Sequence, residues 1–146
     1  MRFLFLIIFL FLGHWAQTQQ VQWATSLLGF SSEYNAGNGQ QYQAIQALGK
    51  PNKLPQGESG ASAWRSAQPD AGEEWLKVGF ETPMTARQIA IAENAGAGCV
   101  TAVFAYDTQN KEYLLYKSKP EATLRGAGVH RIWLPKLTPF QIVALK

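Results

Sequence analysis

The sequence is poor in the residues that usually carry redox and metal chemistry, since its 146 residues include one cysteine and two histidines. One cysteine cannot form an internal disulfide, so the apolar core has to hold the fold together. We expect Cys99 to be a small buried or half-buried residue. It is not expected to be catalytic, because no histidine lies near it in sequence to activate its thiol. His14 and His130 match no zinc-site spacing, and no EF-hand loop is present.

The recognisable catalytic motifs are missing as well. No G-x-S-x-G elbow marks a nucleophilic serine, and His130 has no identifiable partner serine. Glu73 and Glu74 are adjacent, so on an extended chain they point to opposite sides and are expected to be solvated charges rather than a glycosidase pair. The sequence therefore predicts a protein that is not an enzyme and has no cofactor. A structural calcium held by loop carbonyl oxygens would leave little sequence trace and stays open as an alternative.

The N-terminus has the pattern of a secretory signal peptide. Met1 and Arg2 give a positive start, and residues 3–13 form an apolar run that is shorter than the roughly 20 residues of a membrane span. We predict a signal peptide at residues 1–16, with cleavage after Ala16. The alternative is an uncleaved membrane anchor. The protein is thus expected to be exported, to the periplasm, the outer membrane or the extracellular space.

The charge is small and evenly spread. The net charge is +3, from 13 basic and 10 acidic residues, and no basic block suggests a nucleic-acid partner. No segment of about 20–50 residues repeats. Residues 17–146 are enough for a single domain of ordinary size, and we predict one domain there.

Short apolar runs between frequent turn residues predict an all-β protein, either a sandwich or a barrel. In the clearest run Leu76, Val78 and Phe80 share one face of a half-buried strand, which Pro83 is expected to end. Strands are predicted at residues 21–30, 75–80, 87–93, 100–106, 112–116, 131–134 and 141–145, with a five-residue hairpin turn at 107–111.

One short helix is predicted at residues 42–48. Ile45 and Leu48 would share one face of this helix. Gly49 would then lie at its C-cap, and Pro51 would prevent its continuation.

Aromatic residues in polar loops are the main functional signal. Aromatic faces beside polar groups suit sugar or peptide binding, because the rings offer apolar area while the polar groups fix the orientation of the ligand. Tryptophan in a sandwich more often belongs to the core, and this is expected for Trp23, Trp75 and Trp133. Trp64 and Tyr34 lie in or beside polar loops and are the better candidates for exposure.

The order of several segments resembles a known domain family. The stretches YQAIQALGKPN, SAWRS, GEEWLKVGF, RQIAIAEN and AVFAYDTQNKEYLLY together resemble the galactose-binding-like, discoidin-type β-sandwich. The string from ALGKPN to RQIAIAEN is similar to the version found in OmpA-type proteins of the Gram-negative envelope. The resemblance covers residues 21–146 and implies a galactose-binding-like β-sandwich (jelly roll) with one short helix.

The chain departs from this family at its end. The family closes with a further strand, and its envelope members continue into a peptidoglycan-binding domain. This sequence stops before both, so we expect a fold that lacks its last strand and a chain that is a C-terminally truncated fragment. Contact with a membrane is then expected only through the signal segment or a longer parent protein.

The resemblance also implies where a ligand would bind. Discoidin-type domains bind glycans, lipid head groups or proteins through loops at one end, which correspond here to residues 33–40, 53–65 and 93–98. The predicted ligand-binding residues in these loops are Glu33, Tyr34, Trp64, Arg65, Glu93 and Asn94.

Three functions remain open on the sequence. The first is a non-catalytic binding module for glycan, cell-wall polysaccharide or an envelope protein. The second is a structural or assembly domain of an OmpA-type outer-membrane protein that has no small ligand. The third is an accessory domain of a secreted hydrolase.

Overall fold

A computed structural model describes residues 20–35, 37, 39–54, 60–69, 71–95, 98–119 and 128–146. The predicted signal segment lies outside these residues, as do parts of all three candidate loops. Seven strands and one short 3-10 helix make up the regular structure of the described residues. The strands are β1 (Ser26–Phe30), β2 (Leu76–Met84), β3 (Gln88–Glu93), β4 (Ala102–Asp107), β5 (Glu112–Lys117), β6 (Gly128–Trp133) and β7 (Ile142–Leu145).

The strands form two antiparallel sheets. The larger sheet has five strands in the order β1-β2-β7-β4-β5, and the smaller one pairs β3 with β6. The strand β7 lies at the centre of the larger sheet, where it pairs with β2 on one side and β4 on the other. The edges of this sheet are therefore β1 and β5. That the fold lacks a last strand stays a prediction.

An apolar core lies between the two sheets. Val103, Ala105 and Ile142 come from the larger sheet, while Ile89 and Ile132 come from the smaller one. Burial of apolar side chains is the main favourable term in folding, at roughly 25 cal/mol per Å². The shared core confirms the coarse prediction of an all-β protein with two packed sheets.

The strand boundaries agree with the sequence pattern to within two residues except in three places. The strand β6 begins at Gly128 rather than at residue 131. The strand β1 begins at Ser26, later than expected. The strand β2 does not end at Pro83 but continues to Met84, and its register with β7 shifts between Gly79 and Met84. Proline cannot donate to a sheet ladder, so it is tolerated where the ladder is irregular.

The predicted helix exists as one 3-10 turn, Ala44–Ala47. Its buried residue is Ala44, and Ile45 is 36% exposed. Gly49 follows with a left-handed backbone (φ 81°), as expected for the residue after a helix. Its N–H donates to the carbonyl of Ala24 at 2.9 Å and ties the helix to the segment before β1.

The β4–β5 hairpin closes through a turn organised by Asp107. Its Oδ1 accepts hydrogen bonds from the backbone N–H groups of Gln109 and Lys111, each at 2.9 Å. The Tyr113 hydroxyl donates to Oδ2 at 2.8 Å. These bonds, that from Lys111 foremost, hold the pKa of Asp107 below its ordinary value. Asn110 supplies the left-handed residue of the turn (φ 60°), a conformation that asparagine tolerates.

A second tyrosine fastens the same hairpin. The Tyr106 hydroxyl donates to the Glu112 carboxylate, which lies directly opposite in the ladder. Burial of Tyr106, followed by this bond, raises the pKa of the phenol to about 12. The phenol is therefore favoured in its neutral form, and its contribution to stability is present below pH 10 and lost as the pH rises through 12.

The exposure of four side chains differs from expectation. Trp23 and Trp75, which were expected in the core, are each 36% exposed. Cys99 is exposed rather than buried, because it lies in the connection between β3 and β4 and not in a strand. Trp133 is 65% exposed rather than a core residue, since the alternation of β6 turns Ile132 inward and Trp133 outward. Within the part of the chain that the structure describes, no helix has the length and apolar character needed to cross a membrane.

Candidate functional site

A cavity of about 270 Å³ lies where the loop between β1 and β2 meets the loop after β3. Three of the residues predicted from sequence, Trp64, Arg65 and Asn94, line it. The lining residues are Tyr42, Gly60, Ala63, Trp64, Arg65, Asn94 and Ala95. Two loops that are distant in sequence therefore contribute to one depression.

Trp64 is fixed by its indole nitrogen. The Nε1–H group donates to the backbone carbonyl of Ser32 at 2.9 Å. With its polar atom engaged in this way, Trp64 offers the cavity the apolar surface of its ring. The prediction that Trp64 is accessible is met in part, since its side chain is half-buried.

Ser31, Ser32 and Glu74 form a junction beneath this loop. The hydroxyl groups of both serines donate to the Glu74 carboxylate, that of Ser32 at 2.7 Å. The Ser32 hydroxyl also accepts from the backbone N–H of Ala67 at 3.1 Å. The junction ties the end of β1 to the start of β2 and holds the segment from which Trp64 projects.

The Glu74 carboxylate is stabilised in its charged form by these hydrogen bonds. The bond from Ser31, followed by that from Ser32, lowers the pKa of Glu74 from its ordinary value of 4.5. Glu74 was predicted to be a solvated charge, and the structure adds that both serine hydroxyl groups donate to it. The two adjacent serines that follow β1 are a sequence sign of a hydrogen-bonded junction. Their partner Glu74 lies more than 40 residues away, so the sequence does not identify it.

Tyr34, Tyr42 and Arg65 are bound to one another by backbone and ring contacts. The N–H of Tyr34 donates to the carbonyl of Arg65 at 2.8 Å, and the N–H of Arg65 donates to the carbonyl of Tyr42 at 3.0 Å. The rings of Tyr34 and Tyr42 meet edge to face at 5.6 Å. The Arg65 guanidinium lies over the Tyr34 ring, 4.5 Å from its centre. Tyr34 thus supports Arg65 from behind rather than lining the cavity itself.

Tyr42 has a left-handed backbone (φ 61°), which is an unusual conformation for a bulky residue. Such a backbone costs on the order of 1–3 kcal/mol and persists only where the surroundings enforce it. Here both backbone groups of Tyr42 are engaged, the N–H by Ala61 at 2.9 Å and the carbonyl by Arg65. Strained residues of this kind cluster at ligand sites, and Tyr42 was not among the predicted binding residues.

Glu33 is not among the residues that line the cavity. Its Oε2 accepts a hydrogen bond from the backbone N–H of Ala44 at 2.8 Å. This bond satisfies one of the free N–H groups at the start of the 3-10 helix. Glu33 therefore positions the segment that carries Tyr42, and a direct role in ligand binding stays a prediction.

Glu93 and Asn94 lie at the end of β3, on the other side of the cavity. The Glu93 carboxylate accepts from the N–H of Gly98 at 3.3 Å and bridges the loop in which Asn94 and Ala95 lie. His130 is paired with Ile91 in the adjacent strand, and its Nδ1 is 3.9 Å from Glu93 Oε2, beyond hydrogen-bond distance. Of the two residues predicted here, Asn94 reaches the cavity and Glu93 braces its loop.

The cavity is equipped for binding. Its lining offers two aromatic side chains, one guanidinium and one amide. Among the described lining residues there is no carboxylate, imidazole or thiol that could act as a general base or nucleophile. Nor do the described residues contain a group of three or more His, Cys, Asp or Glu side chains that could hold a metal ion.

No protein-family model, curated protein or solved structure matched the chain. The resemblance to galactose-binding-like domains therefore stays a prediction.

Proposed function

We propose that this chain is a non-catalytic binding module with a galactose-binding-like sandwich, which recognises a glycan outside the cytoplasm. The binding site in this proposal is the cavity lined by Tyr42, Trp64, Arg65 and Asn94. The protein would act at the cell envelope, either alone or as part of a longer parent protein.

One observation carries the proposal: residues chosen from sequence for binding converge on one cavity. Trp64, Arg65 and Asn94 line it, and Tyr34 lies directly behind Arg65. The volume of about 270 Å³ is close to the lower end of about 300–1,000 Å³ found for small-molecule sites. A site of this size suits one sugar residue or the end of a chain.

The chemistry of the lining favours a sugar over an apolar ligand. Aromatic rings pack against the C–H face of a sugar ring, while an amide and a guanidinium can bind its oxygen atoms. The hydrogen bonds that hold the loops at Ser32, Glu74 and Glu33 keep these groups in place before a ligand arrives. A preformed site lowers the ordering cost of binding.

A glycan array with the purified full chain, followed by calorimetric titration of the hits, tests the proposal. Ala63→Leu places extra methyl groups in the cavity and should weaken binding by about tenfold or more. Ala90→Leu, on the exposed face of β3, is the matched control and should leave affinity unchanged. A folded chain that binds no glycan, or that binds equally well after Ala63→Leu, would refute the proposal.

A second candidate is an assembly role, favoured by an apolar groove beside the edge strand β5. The groove has a volume of about 260 Å³, and Leu114 and Leu137 at its rim are more than half exposed. An edge strand can pair with a strand of another chain. Sedimentation of the full chain at rising concentration, with Leu114→Lys as the comparison, tests whether this edge makes such a contact.

A further inference from the structure

Among the cavity-lining residues that the structure describes, Arg65 is the charged one. No carboxylate of the described residues lies within 4.0 Å of its guanidinium. Two acidic residues of the cavity loops that the structure describes have other partners. Glu33 accepts from Ala44 and Glu74 accepts from two serine hydroxyl groups, so neither neutralises Arg65.

The position of Arg65 is fixed before any ligand binds. Backbone hydrogen bonds on both sides, to Tyr34 and to Tyr42, hold its main chain. Its guanidinium lies 4.5 Å from the centre of the Tyr34 ring. Contact with a ring face stabilises the cation without using its N–H donors, which lie in the guanidinium plane.

An arginine held in this way suits an oxyanion that accepts two parallel hydrogen bonds, and of carboxylate and phosphate the carboxylate is the one that is planar like the guanidinium. The planar guanidinium presents two parallel N–H groups, and a carboxylate accepts both in a bidentate pair. Such charge-assisted bonds are roughly twice as strong as neutral ones. The aromatic lining formed by Tyr42 and Trp64 would at the same time cover the apolar face of the sugar that carries the carboxylate.

We infer that the cavity selects an acidic sugar, a uronic acid in a polysaccharide, and that Arg65 binds its carboxylate. This inference rests on the proposed function and narrows its ligand class. Arg65 supplies specificity, while Tyr42 and Trp64 supply contact area that does not depend on charge.

Matched pairs of oligosaccharides test the inference with the full chain. The pairs are oligomers of galacturonic, glucuronic and mannuronic acid, each compared with its carboxyl-reduced neutral form of the same linkage and length. Titration calorimetry should give at least about tenfold tighter binding of an acidic oligomer than of its neutral partner. The difference should shrink as salt is added, because screening weakens a partly exposed ion pair.

Variants assign the preference to Arg65. Arg65→Gln should abolish the preference, so that it binds the acidic oligomer no more tightly than the neutral one, and Arg65→Lys should keep only part of the preference. Arg131→Gln, at an exposed position on β6, removes the same charge away from the cavity lining and should change nothing. Circular dichroism checks that each variant is folded.

Each other outcome has a definite meaning. Equal binding of the acidic and neutral forms overturns the inference but leaves the proposed function intact. A sulfated oligomer of the same length is titrated as well. If it binds more tightly than the carboxylated oligomer to both wild type and Arg65→Lys, the inference is overturned, since a point charge would then suffice. Binding of neither form by the folded wild-type chain overturns the inference and the proposed function together.

Discussion

The β4–β5 turn and the cavity loops both contain a non-glycine residue with a left-handed backbone, but the two residues are of different kinds. In the turn this residue is Asn110, which tolerates the conformation. In the cavity loops it is Tyr42, which does not. The hydrogen bonds differ in range as well. Asp107 binds groups that lie two, four and six residues away. The bond from Ser32 to Glu74 spans 42 residues.

We infer from this difference that the turn and the cavity loops have different roles. The turn is built from local interactions that lower the free energy of the folded hairpin. The cavity loops contain a strained residue that is held by distant contacts, an arrangement typical of sites where binding is favoured at some expense of stability. Changes in the turn should therefore affect stability alone, and changes in the loops should affect binding first.

The largest effect is expected from the core on which both regions depend. Ile142→Ala removes a side chain that is 3% exposed, and such truncations cost about 2–5 kcal/mol. The melting temperature should fall steeply, and the hairpin and cavity loops should unfold in the same transition. Leu114→Ala, at an exposed position on β5, is the control and should have little effect. Separate transitions of the two regions in hydrogen exchange would contradict a shared core.

A clear but smaller loss of stability is expected from Asp107→Ala, with ligand affinity unchanged. The carboxylate has a lowered pKa, so its contribution is present above pH 3.8 and is lost as the pH falls through the lower value of the folded state. Thermal melts of wild type and variant should therefore converge in acid. Thr108→Ala, at an exposed turn position, is the control. A loss of binding in Asp107→Ala would break the distinction between the two regions.

Glu74→Gln should weaken ligand binding clearly and lower the melting temperature only a little. The amide cannot accept from Ser31 and Ser32 as strongly as the carboxylate does, so the segment that carries Trp64 would loosen. We expect a loss of affinity on the order of tenfold. Wild-type binding should also weaken in acid below pH 4.5, as the lowered pKa of Glu74 is approached. The neighbouring Glu73→Gln is the matched control. An equal effect of both variants would show that the junction of Ser31, Ser32 and Glu74 does not support ligand binding.

The smallest change in stability is expected from Tyr42→Gly, together with a clear loss of binding. Glycine adopts the left-handed backbone without strain, which offsets the lost contact with the Tyr34 ring. The free energy of unfolding should stay within about 1 kcal/mol of wild type. Tyr42→Ala keeps the strain and loses the ring, so it should be less stable than Tyr42→Gly. Asn110→Gly should affect neither property, and a large loss of stability in Tyr42→Gly would show that the backbone is not strained.

These two regions also show what the sequence could and could not predict. The hairpin was predicted correctly because its determinants are local: alternating apolar residues flank a turn that contains Asp107 and Asn110. The loops were located by resemblance and by their aromatic residues, and three of the six predicted binding residues line the cavity. The link between Ser32 and Glu74 and the strain at Tyr42 could not be predicted, because both depend on contacts made only after the strands have assembled.

The exposure of individual aromatic side chains was the weakest prediction. Trp133 was expected in the core because tryptophan is highly buried on average, yet its position in β6 sets it outward. Residue type alone cannot decide this, since one step along a strand reverses the direction of the side chain. Cys99 was misjudged for another reason, since it lies in a loop between two strands and not in a strand.

The central place of β7 has a consequence for how the chain is made. The pairs β1–β2 and β4–β5 have no direct contact within their sheet, and β7 is the strand that joins them. A nascent chain can therefore form these two pairs on the ribosome but cannot complete the sheet until residues 142–145 have emerged. Until then the flanks of β2 and β4 expose unpaired backbone, so a chaperone that shields them would protect the newly made protein from aggregation.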